Sequence, residues 1–241
     1  RVAELVEKHV NINRLLELTK PVATAVVPIS AGRHIYKREP SFPIAVACDP
    51  AFNFVYEANI RYLHHLGEVT YFSPLADTSL PDAGFVYLPG GYPELYLAAL
   101  SANRQMLQSI RRYVESGGKL LAECGGMMYL CDEIRDKNGY VYPMAGVLHQ
   151  SATMENMKLR LGYRTLLYNE TRLKGHEFHY SRLVEQQNPL PSCAVAYTAK
   201  GVETDTPLYH YKNVWAGYTH LYWADPVGNE WFTKFVIDGN T

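Results

Sequence analysis

Cys124 is the residue whose setting most resembles a reaction centre. The run Lys119-Leu-Leu-Ala-Glu-Cys124-Gly125-Gly126-Met-Met-Tyr-Leu130 reads as an apolar strand, a cysteine, two glycines that permit a tight turn, and a helix that begins at once. This is the thiol form of a nucleophile elbow. Such a turn is expected to expose the sulfur above the sheet edge and to aim the first helical N–H groups at it, favouring thiolate and lowering the thiol pKa. The competing reading is a small buried hydrophobe, as most free cysteines are.

A thiol that attacks a carbonyl needs donors for the oxyanion and a base for its proton. Leu88-Pro89-Gly90-Gly91-Tyr92-Pro93-Glu94 closes another strand, and its paired glycines can turn backbone N–H groups outward into a nest. With the N–H of Gly125 they would hold an oxygen that gains charge. An ordinary turn before a helix with Pro93 in its first turn explains the same residues. Of the histidines, His64 and His65 fall on a predicted helix flank, and His34, His149 and His210 have no suggestive neighbours. Those with suggestive neighbours are His176 and His179, in the run Gly175–Arg182, and His220, in the run Gly217–Tyr222. A nucleophile followed by a histidine near the C-terminus matches the chain order of several α/β triads.

His176 and His179 stand three apart in an extended aromatic stretch, whereas a helical HExxH zinc site needs two histidines four apart, so zinc is not expected. On a strand the two point to opposite faces, and at most one reaches a shared pocket, with Glu177 on the other face. A polar strand with structural hydrogen bonds is the plain alternative. No G-x-x-x-x-G-K-[ST] occurs: Gly118-Lys119 is followed by Leu120, and Tyr113 stands where the first glycine belongs. No G-x-G-x-x-G follows the first predicted strand, so a dinucleotide role is unsupported. The 19 tyrosines fit half-buried strands better than a cofactor platform.

The elements that would position these residues alternate. IAVACD (44–49) is an apolar run suited to a strand buried on both faces. A helix over about 55–66, strands at 69–73 and 85–91, a helix over about 93–116 and the strand 119–123 follow. This order predicts an α/β fold, a doubly wound and mostly parallel sheet with flanking helices and ligands at the strand ends. Beyond about residue 140 short Tyr-rich segments (159–168, 175–184, 194–199, 213–223) add further, antiparallel or mixed β-strands. Residues 2–19 carry apolar positions at helical spacing up to Pro21, and 20–43 reads as a connector. The domains expected are therefore an appendage, 1–41, and a compact domain, 42–241.

With 23 Lys+Arg against 24 Asp+Glu in 241 residues, the chain offers no basic surface for nucleic acid or anionic membrane. It also has no apolar run of about 18 residues for a membrane span. Four scattered cysteines, Cys48, Cys124, Cys131 and Cys193, fit a reduced, cytoplasmic setting. The chain begins at Arg1 with no initiator Met, as a piece cut from something longer would.

LPGGYPEL (88–95), AECGGMMYL (122–130), GHEFHYS (175–181) and GYTHLYW (217–223), with FPIAVACDPAFNFVYEAN (42–59) and FSPLAD (72–77), closely resemble the C-terminal half of the cobyrinic acid a,c-diamide synthase family. That family acts in cobalamin biosynthesis and joins an N-terminal ATP-dependent ligase domain to a class I glutamine amidotransferase-like domain. The resemblance implies that Cys124 attacks the glutamine side-chain amide, that His220 raises its nucleophilicity, and that Gly91 and Gly125 are the oxyanion donors. It makes residues 1–41 the last helix of the ligase domain and the linker. Where such glutaminases place a triad glutamate two residues after the histidine, this chain has Tyr222, which leaves a Cys–His dyad or help from Glu94 or Glu123. His176, Glu177, His179 and Arg182 match a motif assigned to the substrate or domain interface. The implied partners are glutamine and, through the ligase domain, a tetrapyrrole; oligomeric state, a homo-oligomer included, stays open. No cofactor is expected in this chain, since ATP and Mg2+ belong to the ligase domain. Rival readings are a nickel sirohydrochlorin a,c-diamide synthase and a silent docking module.

Overall fold

In the computed structural model the chain divides into two units, Arg1–Glu39 and Pro40–Thr241, and residues 1–19 and 42–238 are described. The first unit holds α1 (Val2–His9) and α2 (Ile12–Leu18) rather than the single helix expected over 2–19. Val10 is extended, and Asn11 restarts the helix by accepting the Arg14 N–H on its side chain at 2.9 Å. An asparagine cap satisfies the orphan donors of a new helix and so makes the break cheap. The expected connector lies, over residues 20–41, outside the described residues.

The second unit opens with β1 (Phe42–Ala47), α3 (Glu57–Leu66), β2 (Gly67–Phe72) and β3 (Phe85–Leu88). A 3-10 turn at Pro93–Leu95, α4 (Leu97–Ala102) and α5 (Arg104–Glu115) replace the one long helix expected over 93–116. Asn103 makes that break. Its Oδ1 caps Met106 N–H at 3.3 Å while its amide group donates to the carbonyls of Pro74 and Asp77, each at 2.8 Å.

Next come β4 (Lys119–Glu123), α6 (Gly125–Leu130), β5 (Glu133–Arg135), β6 (Val141–Pro143) and β7 (Ser151–Thr153). The long hairpin β8 (Arg160–Tyr168) and β9 (Thr171–His179) follows, then β10 (Arg182–Leu183), β11 (Val195–Thr198) and β12 (Glu203–Thr204). The unit ends with β13 (Leu208–Tyr211), β14 (Val214–Gly217), β15 (His220–Leu221) and α7 (Pro226–Thr233).

Six strands form the central sheet in the order β13-β14-β4-β3-β1-β2, parallel throughout except for the β13 edge. Successive strand residues supply opposite faces, as the period of two requires. Ala45, Val86, Leu88 and Leu120 pack on one side with α4, α5 and α6, while Ile44, Phe85, Tyr87 and Leu121 pack on the other with α3 and α7. This is the doubly wound arrangement expected. The additional strands form a mixed sheet β10-β7-β5-β6 and an antiparallel sheet β12-β11-β8-β9-β15. The segment 213–223 does not stay in one sheet. β14 lies parallel to β4, and after Tyr218-Thr219 the chain joins β9 as β15, which sets His220 at the junction. Among the described residues no helix is long and apolar enough to cross a membrane.

Candidate active site

The elbow is built by a strand that runs out of pairing room. Leu120, Leu121 and Ala122 are fully buried, and β14 extends its pairing one step beyond β4, with Cys124 N–H donating to Gly217 O at 2.8 Å. Cys124 then takes φ 48°, ψ −106°, and its carbonyl accepts the Met128 N–H that closes the first turn of α6. A non-glycine residue held there costs on the order of 1–3 kcal/mol, a strain that clusters at functional sites. The glycines that follow let backbones touch. A Cβ on Gly126 would sit 2.1 Å from Leu88 O, and one on Gly125 would sit 3.2 Å from Gly91 N. The two expected oxyanion donors are thus neighbours.

Gly91 is itself pressed against the β1–α3 loop. A Cβ there would lie 2.2 Å from Ala51 O, which accepts the Tyr92 N–H, while Gly90 O accepts the Phe54 N–H at 3.0 Å. Asp49 organises that loop. One carboxylate oxygen accepts the Ala51 and Phe52 amides, and the other accepts the Ser73 hydroxyl and the Leu75 amide.

A cleft of about 260 Å³ opens over the elbow, lined by Cys124, Gly91, Tyr92, Phe54, His176, Phe178 and His220. Cys124 and His220 therefore share one cavity. His220 is 3% exposed, its ring packed on Phe54 at 4.2 Å between centroids and set over Gly90, whose Cβ would reach 2.1 Å from the imidazole Cε1. Its Nδ1 is buried and has no hydrogen-bond partner among the described residues.

The ionisation differs from the sequence expectation. The thiol is not lowered towards thiolate; burial, and after it the charge of Glu94, push it up to about 12 against one opposing Gly125 amide. The sulfur is not displayed above the sheet edge either, being 5% exposed and donating to Phe178 O at 3.8 Å. The six residues of α6 cannot outweigh that desolvation. Burial first, then the charges of His176 and His179, bring His220 down to about 3. At neutral pH the pair rests as thiol and neutral imidazole.

The 176–182 cluster is split by β9. His176 faces the thiol's cleft with Phe178, while Glu177 and His179 are buried on the opposite face. Glu177 bonds His179 Nε2 at 2.8 Å, the Thr206 hydroxyl at 3.0 Å and the Arg164 guanidinium; even buried, these partners hold its carboxyl below the usual range. His179 Nδ1 faces Ser181 O at 2.7 Å, so both ring nitrogens meet acceptor-only oxygens. Its ring stacks on Tyr218. Arg182, exposed, lines a separate pocket of about 320 Å³ with Glu177, His179 and the Arg160–Asp205 ion pair.

No carboxylate occupies the usual triad place. Tyr222 is 38% exposed and meets Tyr56 edge-on. Half-buried Glu94 has its pKa raised by burial. Glu123, 1% exposed, accepts the Tyr87 hydroxyl at 2.6 Å and the Leu221 N–H at 3.0 Å. Sequence reasoning passed over Phe54 and Phe178, apolar residues with no chemical signature, and Asn59, whose signal was a polar residue on the buried face of α3. Among the described residues no group of three or more His, Cys, Asp or Glu side chains is arranged to hold a metal ion.

Comparison with known proteins places the chain in a family. Residues 43–227 match the CobB/CobQ-like glutamine amidotransferase domain. The chain is 37% identical over 235 residues to a cobyrinate a,c-diamide synthase of Picrophilus torridus, covering 92% of this chain and 49% of that protein. It is 40% identical over 185 residues to a hydrogenobyrinate a,c-diamide synthase of Pseudomonas aeruginosa, covering 74% and 41%. The chain thus spans about half the length of the curated relatives it matches. Among solved structures, PurLQS from Thermotoga maritima superposes with a TM-score of 0.53 at 17% identity, over 82% of this chain and 96% of that one, a likeness of fold. With residues 43–227 matched and this sequence kinship together, the chain belongs to the family of CobB/CobQ-like glutamine amidotransferase domains.

Proposed function

We propose that the chain is the glutaminase part of an ATP-dependent amidotransferase that amidates the a and c acetate side chains of cobyrinic acid. The observation that carries the glutaminase reading is the shared cleft. A strained cysteine elbow and a buried histidine line one cavity, with the Gly91 and Gly125 backbones in contact beside them.

The resting ionisation shapes the mechanism. With the thiol near 12 and the imidazole near 3, no ion pair is preformed. The Cys124 proton passes to His220 as sulfur adds to the glutamine Cδ, and the new oxyanion is held by the Gly91 and Gly125 N–H groups. The imidazolium returns its proton to the departing nitrogen, and ammonia leaves a γ-glutamyl thioester. Water, deprotonated by His220, cleaves the thioester to glutamate and the free thiol. Phe54 and Phe178 keep the cleft apolar, which strengthens each of these charge interactions. Glu177, His179 and Arg182 form a polar pocket for the charged ends of substrate or for the neighbouring domain.

The ATP and Mg2+ chemistry that would activate the acetate carboxylates belongs to a ligase domain. No phosphate-binding loop of the G-x-x-x-x-G-K-[ST] type occurs in these residues. The test is glutamate release from glutamine, by the chain alone and with the ligase half added. Cys124→Ala abolishes it, and His220→Ala lowers kcat by about 10²–10⁴-fold, the usual worth of a general base. Release that survives Cys124→Ala overturns the mechanism, and no release under either condition makes the chain a docking module.

A further inference from the structure

His220 lacks an acid on its ring, yet the backbone just beyond it is held by two buried side chains, one from the central sheet and one from a flanking helix. Glu123 accepts the Leu221 N–H at 3.0 Å. Asn59, on α3 and fully buried, donates to Leu221 O at 2.8 Å and accepts the Trp223 N–H at 3.1 Å. Both polar groups of the Leu221 backbone are therefore bound by side chains. The Tyr87 hydroxyl, 2.6 Å from the second Glu123 oxygen, orients the carboxyl from β3.

The clamp has a reason to exist. β15 is two residues long and pairs on one side only, with His220 opposite His176, so its ladder alone holds the segment weakly. A buried carboxyl is costly unless donors satisfy it, and here one of the donors is the amide next to the histidine. Glu123 also immediately precedes Cys124, so one residue ties the nucleophile's elbow to the base's strand.

We propose that Glu123, seconded by Asn59, is the positioning residue of His220: by fixing the Leu221 amide it supplies through the backbone the orientation that a triad acid supplies through the imidazole. The inference rests on Cys124 and His220 being the glutaminase pair. Burial pushes the Glu123 carboxyl up to about 7, so the clamp acts chiefly as an acceptor of hydrogen bonds and not as a fixed charge.

The experiment compares Glu123→Gln, Glu123→Leu and Asn59→Ala in this chain. Glutamine at 123 still offers an oxygen to the Leu221 N–H, and its kcat stays within about 3-fold of the parent. Leucine removes the acceptor; kcat falls by about 10²-fold, the scale of a misplacement of about 1 Å, with KM for glutamine and Cys124 alkylation within about 2-fold. Asn59→Ala leaves the elbow untouched and lowers kcat in the same pattern, which keeps the test alive if the leucine variant does not fold. Hydrogen exchange at the Leu221 amide accelerates with leucine and not with glutamine, a readout that needs no turnover. The proposal is overturned if glutamine is as damaging as leucine, if kcat, KM and alkylation fall together, or if Leu221 exchange is unmoved. Glutamate release that survives Cys124→Ala would instead defeat the Cys124–His220 mechanism on which the inference rests and leave the exchange result to judge the clamp.

Discussion

The Cys124 elbow was legible because strand, cysteine, two glycines and helix follow one another without a gap; the ionisation of its thiol was not. The pattern shows a helix N-terminus pointing at sulfur and hides what else surrounds it. Folding places Glu94, Glu123 and Glu177 near enough for their charge to oppose thiolate, and takes the sulfur out of water. Alkylation by iodoacetamide, followed site by site, should therefore show Cys124 reacting far behind the exposed Cys48 at pH 7. Its rate should climb tenfold per pH unit with no plateau below pH 10, since only thiolate reacts. A plateau near pH 7 would show a thiol ionised at rest and would restore the preformed ion pair. Chain order left His176, His179 and His220 open, and only the family resemblance pointed to His220. What the order could not reveal is that its neighbour's amide, and not its ring, receives the carboxyl.

At the level of elements, strands that are continuous apolar runs were readable, and so was the alternation of faces that separates His176 from Glu177 and His179 on β9. The breaks at Val10 and Asn103 were not, since each depends on one asparagine whose partners become known only on folding. Nor was the passage of residues 213–223 from one sheet to another. Contact between elements at the site depends on glycines, and two of them separate function from stability. Alanine at 90 puts its Cβ against the His220 ring, a side chain, whereas alanine at 126 puts it against the Leu88 carbonyl, which is backbone. Gly90→Ala should cut kcat by about 10²-fold with little change in Tm, because the base is displaced and the sheet is not. Gly126→Ala should cost about 1–3 kcal/mol of stability, read from urea unfolding, because α6 and β3 must part. If Gly90→Ala turns over glutamine at the parental rate, His220 does not work from where it lies.

For the molecule as a whole, a formal charge of −1 means that its pH response is not set by collective repulsion but by the few groups it buries. His220, held near 3 against an ordinary 6.5, is neutral in the fold, so the unfolded chain binds the extra proton and stability is lost as pH falls from 6.5 towards 3. Glu123 has the opposite sign. Raised from 4.5 to about 7, it binds its proton more readily folded, so its contribution is complete below 4.5 and is lost as pH rises through 7. The two oppose each other between 4.5 and 6.5 and flatten the parent's curve there. Cys124 adds a loss between about 9 and 12, in the same sense as buried Tyr87. Urea unfolding at pH 7.5, 5.5 and 4 separates the contributions. Relative to the parent, His220→Leu should lose less stability on going from pH 7.5 to 4, and Glu123→Gln should lose more. Parallel curves for parent and His220→Leu would mean that the imidazole is solvated in the fold, and the neutral thiol–imidazole pair on which the proton transfer is built would go with it.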